Sequence, residues 1–357
     1  MVTSLRDKVF GCYLGAAVGD ALGGPLQAMH AWRIRKTIGE VKDLLHYRKP
    51  PGFFDLGLPY ALHSHPGCVT GETFIRAQFA RFVSDHRESR HLDELVHHLL
   101  RYGQPEPWPR RMIEVLQQVK AGAVRPEMAG ARLAPGDSLS WWTPLGIINV
   151  GNPRKAFEET VRLSTLWKRP LEQDLLGAVQ AGVAHALTPK ARVETVIETA
   201  CAHAGPLARA LIERAVDIAR AVPKGNWRAF VDALYEGALV DSAPDRLDGE
   251  LPHPAPAPKN LDEPTASPLL AEQVPLAFAA LAFGDGRSRV TLCAAASLGR
   301  DARAITATAG AWVGALVGRS RLPREWVGAV VTANHADLDL VTQATALADQ
   351  VEPKLEL

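Results

Sequence analysis

Between Lys8 and Leu22 the chain writes a helix out of small residues: Gly11, Cys12, Gly15, Ala16, Ala17, Gly19 and Ala21. A glycine lowers helix stability by roughly 1 kcal/mol relative to alanine, so several in one helix need a reason. Close approach by a neighbouring element supplies one. A second pattern of this kind runs from Thr306 to Gly318 near the far end, with Gly310, Gly314 and Gly318 set among alanines. The sequence therefore predicts that its first helix has a partner some three hundred residues away. Gly23-Gly24-Pro25 ends the first helix, and Gly299-Arg300-Asp301 precedes the second.

The rest of the chain also reads as helices. One opens at Val69-Thr70-Gly71-Glu72-Thr73 and runs through Phe82, and residues 92 to 121 give two amphipathic helices broken at Pro105, Pro107 and Pro109. From Pro153 to Val240, Ala and Leu recur at i, i+3, i+4 spacing, with breaks at Arg169-Pro170, Pro189, Gly205-Pro206 and Pro223-Lys224-Gly225. Helices resume from Leu269, and Pro323 opens one of them. No strand series and no fixed-period repeat is present, so the fold class is all-α. Residues 31 to 66 read as irregular. Residues 242 to 268, rich in Pro, Ala and Asp, read as a long exposed loop. The loop is an excursion within one domain of residues 1–357, because the segment after it carries the partner of the first helix.

Apolar residues make up 47% of the chain and the net charge is +1, which gives no electrostatic case for nucleic acid or an anionic membrane. Cys12, Cys201 and Cys293 sit in apolar or small-residue runs and read as buried thiols; Cys68 lies in a turn. With no CxxC pair, four scattered cysteines suit a reducing compartment. No apolar run is expected to reach the ~20 residues of a membrane span, and the expected location is cytoplasmic.

Certain polar residues stand out against this background. Asp20 falls in the last turn of the first helix, where the dipole disfavours an anion, so it needs a partner or a polar cavity. Asp301 stands where a helix starts and can cap it, as can Thr70. These turns carry a resemblance. Gly11 to Pro25, Thr70-Gly71-Glu72-Thr73, Ser140 to Gly146, Glu272-Gln273-Val274-Pro275, Gly299 to Ile305 and Leu322 to Trp326 follow in the order of the ADP-ribosylglycohydrolase family, which this chain resembles over most of its length. The resemblance implies a compact helical fold around a dinuclear Mg²⁺ centre. Thr-Asp-Asp at one helix start and Asp-x-Asp-Thr at another would supply its oxygens, and its substrates would be ADP-ribosylated side chains, ADP-ribosyl polymers and related ribosides.

The chain departs from that pattern at the ligand turns. Gly71 and Glu72 replace the two aspartates of the first turn. In the last turn Asp301 is kept, Arg303 replaces the second Asp and Ala304 the Thr. Matching residues remain at Thr70 and Asp301, with Glu72 chemically similar. A guanidinium stays protonated and cannot ligate a metal. The reading is therefore no metal, or one weakly held Mg²⁺ on Thr70, Glu72 and Asp301. Glu72 and Asp301 are the candidate catalytic carboxylates, and Arg303 is the candidate electrostatic substitute, able to bind a phosphate. Gln27 stands where many members have a Glu near the reacting sugar.

Trp141-Trp142 lies in a segment that borders the site in the family. It either stacks on a base or sugar, or packs into the core. The usual Arg of that segment is replaced within Trp142-Thr143. Asp20 reads as a buried structural residue close enough to orient the site. His63 and His65 read as surface loop residues, and Asp137 as a turn residue. Two functions follow. One is a divergent hydrolase cleaving an N- or O-ribosidic bond of an ADP-ribosyl or nucleoside-like substrate with little or no metal. The other is an inactive member binding an ADP-ribose-like ligand or a protein partner.

Overall fold

The computed structural model describes residues 3–47, 65–87, 90–103, 108–132, 139–239 and 269–352. His63, Asp137 and the loop at 242–268 lie outside the described residues. Within them the chain forms α1 (Leu5–Gly23), α2 (Ala31–Thr37), α3 (Gly71–Asp85), α4 (Leu92–Tyr102), α5 (Arg110–Lys120), α6 (Pro126–Ala129), α7 (Thr143–Ile148), α8 (Pro153–Ser164), α9 (Pro170–Ala186), α10 (Val193–His203), α11 (Pro206–Ala221), α12 (Trp227–Gly237), α13 (Leu270–Gly284), α14 (Ser288–Ser297), α15 (Ala302–Val317), α16 (Arg324–Asn334) and α17 (Leu340–Val351). No strand occurs among the described residues; the β-type pairing there is an isolated bridge between His30 and Gly299. The fold is all-α, as the sequence predicts. The proline breaks open α8, α9 and α11, where a missing N–H costs nothing, and Pro323 is the N-cap of α16.

The two small-residue helices do pair. α1 and α15 run antiparallel in backbone contact. A Cβ built on Gly11, Gly15, Gly19 or Gly23 would strike the carbonyl oxygen of Gly314, Gly310, Thr306 or Ala302 respectively. Gly310 and Gly314 are closed in the same way by the carbonyls of Gly15 and Gly11. Around this pair the apolar core extends from Val9 to Val351. α17 packs on α1, and its residues Leu340, Ala344, Leu347 and Ala348 are buried.

Certain expectations need correction. Residues 31–37, read as irregular, form α2. It is a short helix whose start is marked by His30, the side chain of which accepts from Trp32 N. Contrary to expectation, one helical stretch, Leu5–Leu26, is long and apolar enough to cross a membrane; 89% of its most apolar window is buried inside the fold, as for a core helix. The cysteines are all free, but Cys68 is buried in its turn and Cys293 is only partly buried.

Candidate functional site

The site is built where three helix ends meet. At the C-terminal end of α1, Asp20 is fully buried and accepts four hydrogen bonds from the start of α3. Thr70 gives its N–H (2.9 Å) and hydroxyl (2.7 Å); Thr73 gives its N–H (3.2 Å) and hydroxyl (2.6 Å). The anion that sits badly at the end of its own helix sits well at the start of another. Arg76, also buried, donates to the Thr73 hydroxyl at 2.8 Å, placing a cation behind the carboxylate. Thr70 is the N-cap of α3, its hydroxyl accepting from Glu72 N at 3.2 Å.

The start of α15 is held differently from expectation. Asp301 occupies its N-cap but makes no capping hydrogen bond. Gln27 takes that role, its Oε1 accepting from Arg303 N at 3.3 Å. The segment after α1 is stapled to this turn: Ala28 N donates to Arg300 O (2.8 Å) and Arg300 N to Met29 O (3.0 Å). The turn requires positive φ at Gly299 (63°) and Arg300 (57°). Arginine is unfavourable there. It is held by two parallel hydrogen bonds, of 2.8 and 2.9 Å, to the fully buried Glu272. Sequence reasoning missed this pair; the signal was an arginine where the family turn has a second glycine.

These ends bring Glu72 and Asp301 together with Arg303. Both carboxylates are 4% exposed. Glu72 Oε2 accepts from the Ser140 hydroxyl at 2.6 Å. Asp301 Oδ2 accepts from Gln273 Nε2 at 2.7 Å, and its Oδ1 lies 3.7 Å from Arg303 Nε. Burial pushes the Glu72 carboxyl up to about 7; Asp301 and Asp20 push the same way, while Arg303 and Ser140 oppose them. Ser140 and Gln273 are further site residues that sequence reasoning passed over, because uncharged donors leave no pattern in a sequence.

Trp141 and Trp142 do not join the site. They are 1% and 0% exposed, so the stacking surface on the rim is corrected to core. Trp141 packs edge-on to Trp108 (centroids 5.3 Å) and Trp167 (6.4 Å), and Trp142 edge-on to Phe79 (4.8 Å). They anchor the turn that delivers Ser140. His65, as expected, is exposed.

A pair of Mg²⁺ ions does not fit this donor set. Gly71 offers no side chain, Arg303 is a cation within 3.7 Å of one remaining carboxylate, and Ser140 and Gln273 each engage one carboxylate oxygen. Thr70 Oγ1 donates to Asp20 and accepts from Glu72 N, which leaves one lone pair. Among the described residues no group of three or more His, Cys, Asp or Glu side chains is arranged to hold an ion.

A family model described as ADP-ribosylglycohydrolase matches residues 1–355. The chain matches no curated protein. Among solved structures, 44 chains match. One, titled "ADP-ribosylglycohydrolase-related protein complex", superposes with a TM-score of 0.64 at 18% identity, over 97% of this chain and 98% of that one. At that identity the likeness carries the fold.

Proposed function

The chain belongs to the ADP-ribosylglycohydrolase family, and from that premise we propose that it cleaves a ribosidic bond of an ADP-ribosyl or nucleoside-like substrate without a two-ion centre. The family is typically Mg²⁺-dependent; the reading here is no metal or a single weakly held one. The observation that carries the proposal is the grouping of Glu72, Asp301 and Arg303 at the family's ligand turns, with the guanidinium beside one buried carboxylate and its charge felt by the other.

Each group has a chemical part. A carboxyl that titrates at about 7 holds and releases a proton at neutral pH, as a general acid or base must. Glu72 would take a proton from the attacking water or hand one to the leaving group, with Ser140 fixing its orientation. Asp301, steadied by Gln273, would accept from a ribose diol, and the Arg303 guanidinium would meet a phosphate oxygen. Asp20 and Gln27 set the helix ends that hold these groups. A single domain and a cytoplasmic location belong to the same reading; the four free thiols support the latter.

A second reading, an ADP-ribose-like ligand or a protein partner bound without turnover, draws on the burial of both carboxylates and their engagement by Ser140 and Gln273. One experiment separates the two: hydrolysis of ADP-ribosylated peptides, ADP-ribosyl polymers and simple nucleosides in EDTA and in Mg²⁺. The hydrolase reading expects turnover in EDTA that falls about 100-fold or more in Glu72→Gln and in Asp301→Asn. Turnover untouched by both substitutions would remove these residues from the mechanism. No turnover on any substrate, with ADP-ribose still bound, would favour the second reading.

A further inference from the structure

We propose that Arg303 is a built-in cation standing in for a divalent ion, so that the wild-type site is indifferent to metal and gains a divalent-cation site when the guanidinium is removed. This rests on the reading that the site works without an ion pair, and it goes beyond it by assigning the reason to one side chain.

The argument is one of charge in a buried place. Glu72 and Asp301 are both 4% exposed and lie close enough for each to feel the other's charge. Asp20 is also buried nearby, but four donors from α3 already surround it. Ser140 and Gln273 give hydrogen bonds to Glu72 and Asp301 but no charge. Two carboxylates held together out of water are stable only with a cation beside them or a proton on one of them. Arg303 supplies the cation: its Nε is 3.7 Å from Asp301 Oδ1, its side chain is 13% exposed, and it draws the Glu72 proton affinity down. Its backbone N–H is fixed by Gln27, so the side chain springs from an anchored helix start.

Removing the guanidinium changes what the site can hold. Asp301 Oδ1 loses the guanidinium beside it, and Asp301, Glu72 and Thr70 at the neighbouring helix starts then offer oxygens of net negative charge. Mg²⁺ and Mn²⁺ take such oxygens and complete their shell with water. A lysine in place of Arg303 keeps the charge and keeps the site closed to metal.

The test reads thermal midpoint and bound Mn²⁺ on the full chain. For the wild type we expect the same midpoint, within about 1 °C, in 1 mM EDTA and in 1 mM MnCl₂. For Arg303→Ala we expect a lowered midpoint in EDTA, a recovery of about 3 °C or more in MnCl₂, and one Mn²⁺ per chain by equilibrium dialysis. Arg303→Lys should behave as the wild type. Should Arg303→Ala not fold in EDTA, its refolding yield with and without Mn²⁺ gives the same answer, as does the uncharged, shorter Arg303→Gln. Stoichiometric, stabilising Mn²⁺ binding by the wild type would overturn the inference. So would an Arg303→Ala protein, or refolding yield, that ignores Mn²⁺. No reaction is read, so absence of riboside turnover leaves this test standing.

Discussion

Burial of the Glu72 carboxyl ties stability to pH. Its folded value is raised from 4.5 to about 7. Below pH 4.5 both states carry the proton and the group makes no difference. Between 4.5 and 7 the unfolded chain releases it while the folded one keeps it, so stability falls as pH rises, and above 7 the full loss is present. Glu72→Gln keeps an acceptor for the Ser140 hydroxyl and removes the titration. Urea unfolding should find it more stable than wild type at pH 8, by on the order of 2–3 kcal/mol, and nearly equal at pH 4.5. An equal gain at both pH values would show that the Glu72 value is not raised in the folded protein. The sequence marked Glu72 as one of two surviving carboxylates. Its protonation comes first from burial, which no local pattern encodes, and then from Asp301 and Asp20, which stand 229 and 52 positions away in the chain.

Helix pairing carries the next scale. α1 and α15 meet backbone to backbone, so one methyl group is already too large. Gly15→Ala and Gly310→Ala place a Cβ on the carbonyl of the facing helix, and neither backbone can yield without shifting its whole helix. Each should cost at least about 3 kcal/mol, read by denaturant unfolding. Gly328 in α16 is the control: a Cβ there meets nothing within 4 Å. Gly328→Ala should stabilise by roughly 0.5–1 kcal/mol through helix propensity alone. The pairing was legible because glycine at four-residue spacing has few other uses in a helix. The exchange of caps at α15 was not. Asp301 has the right residue type for a cap, yet Gln27 reaches the Arg303 N–H and leaves Asp301 to Gln273.

Over the whole molecule, the last helix completes the environment of the first. α17 covers a flank of α1, and the Tyr13 hydroxyl donates to Gln343 across that contact. Deleting residues 340–357 would uncover an apolar helix that passes for a membrane span by composition. Such a truncation should lose its cooperative thermal transition, followed by circular dichroism, and aggregate. The exposed pairs of Arg6 with Asp349 (2.7 Å) and Glu352 (3.0 Å) bridge the same two ends of the chain. They contribute little by comparison, and Arg6→Ala should leave the denaturation midpoint close to that of the wild type. A truncation that still melts cooperatively would place the stabilising contacts of α1 elsewhere.

By itself the sequence determined the helical class, the position of most helix breaks, the α1–α15 pairing and the loss of a carboxylate pattern at both ligand turns. Those follow from local rules: proline cannot continue a helix, glycine admits a neighbouring backbone, and arginine does not ligate metal. Tertiary structure alone decided what surrounds the surviving groups. It turned Trp141 and Trp142 inward, gave Asp20 to the start of α3, and tied Arg300 to Glu272. It also set Arg303 beside Asp301. The physical reason is that burial and electrostatic coupling act through space. Residues some 280 positions apart, such as Gln27 and Arg303, share one site because two helices pack, and that packing fixes which charges meet and which rings are hidden.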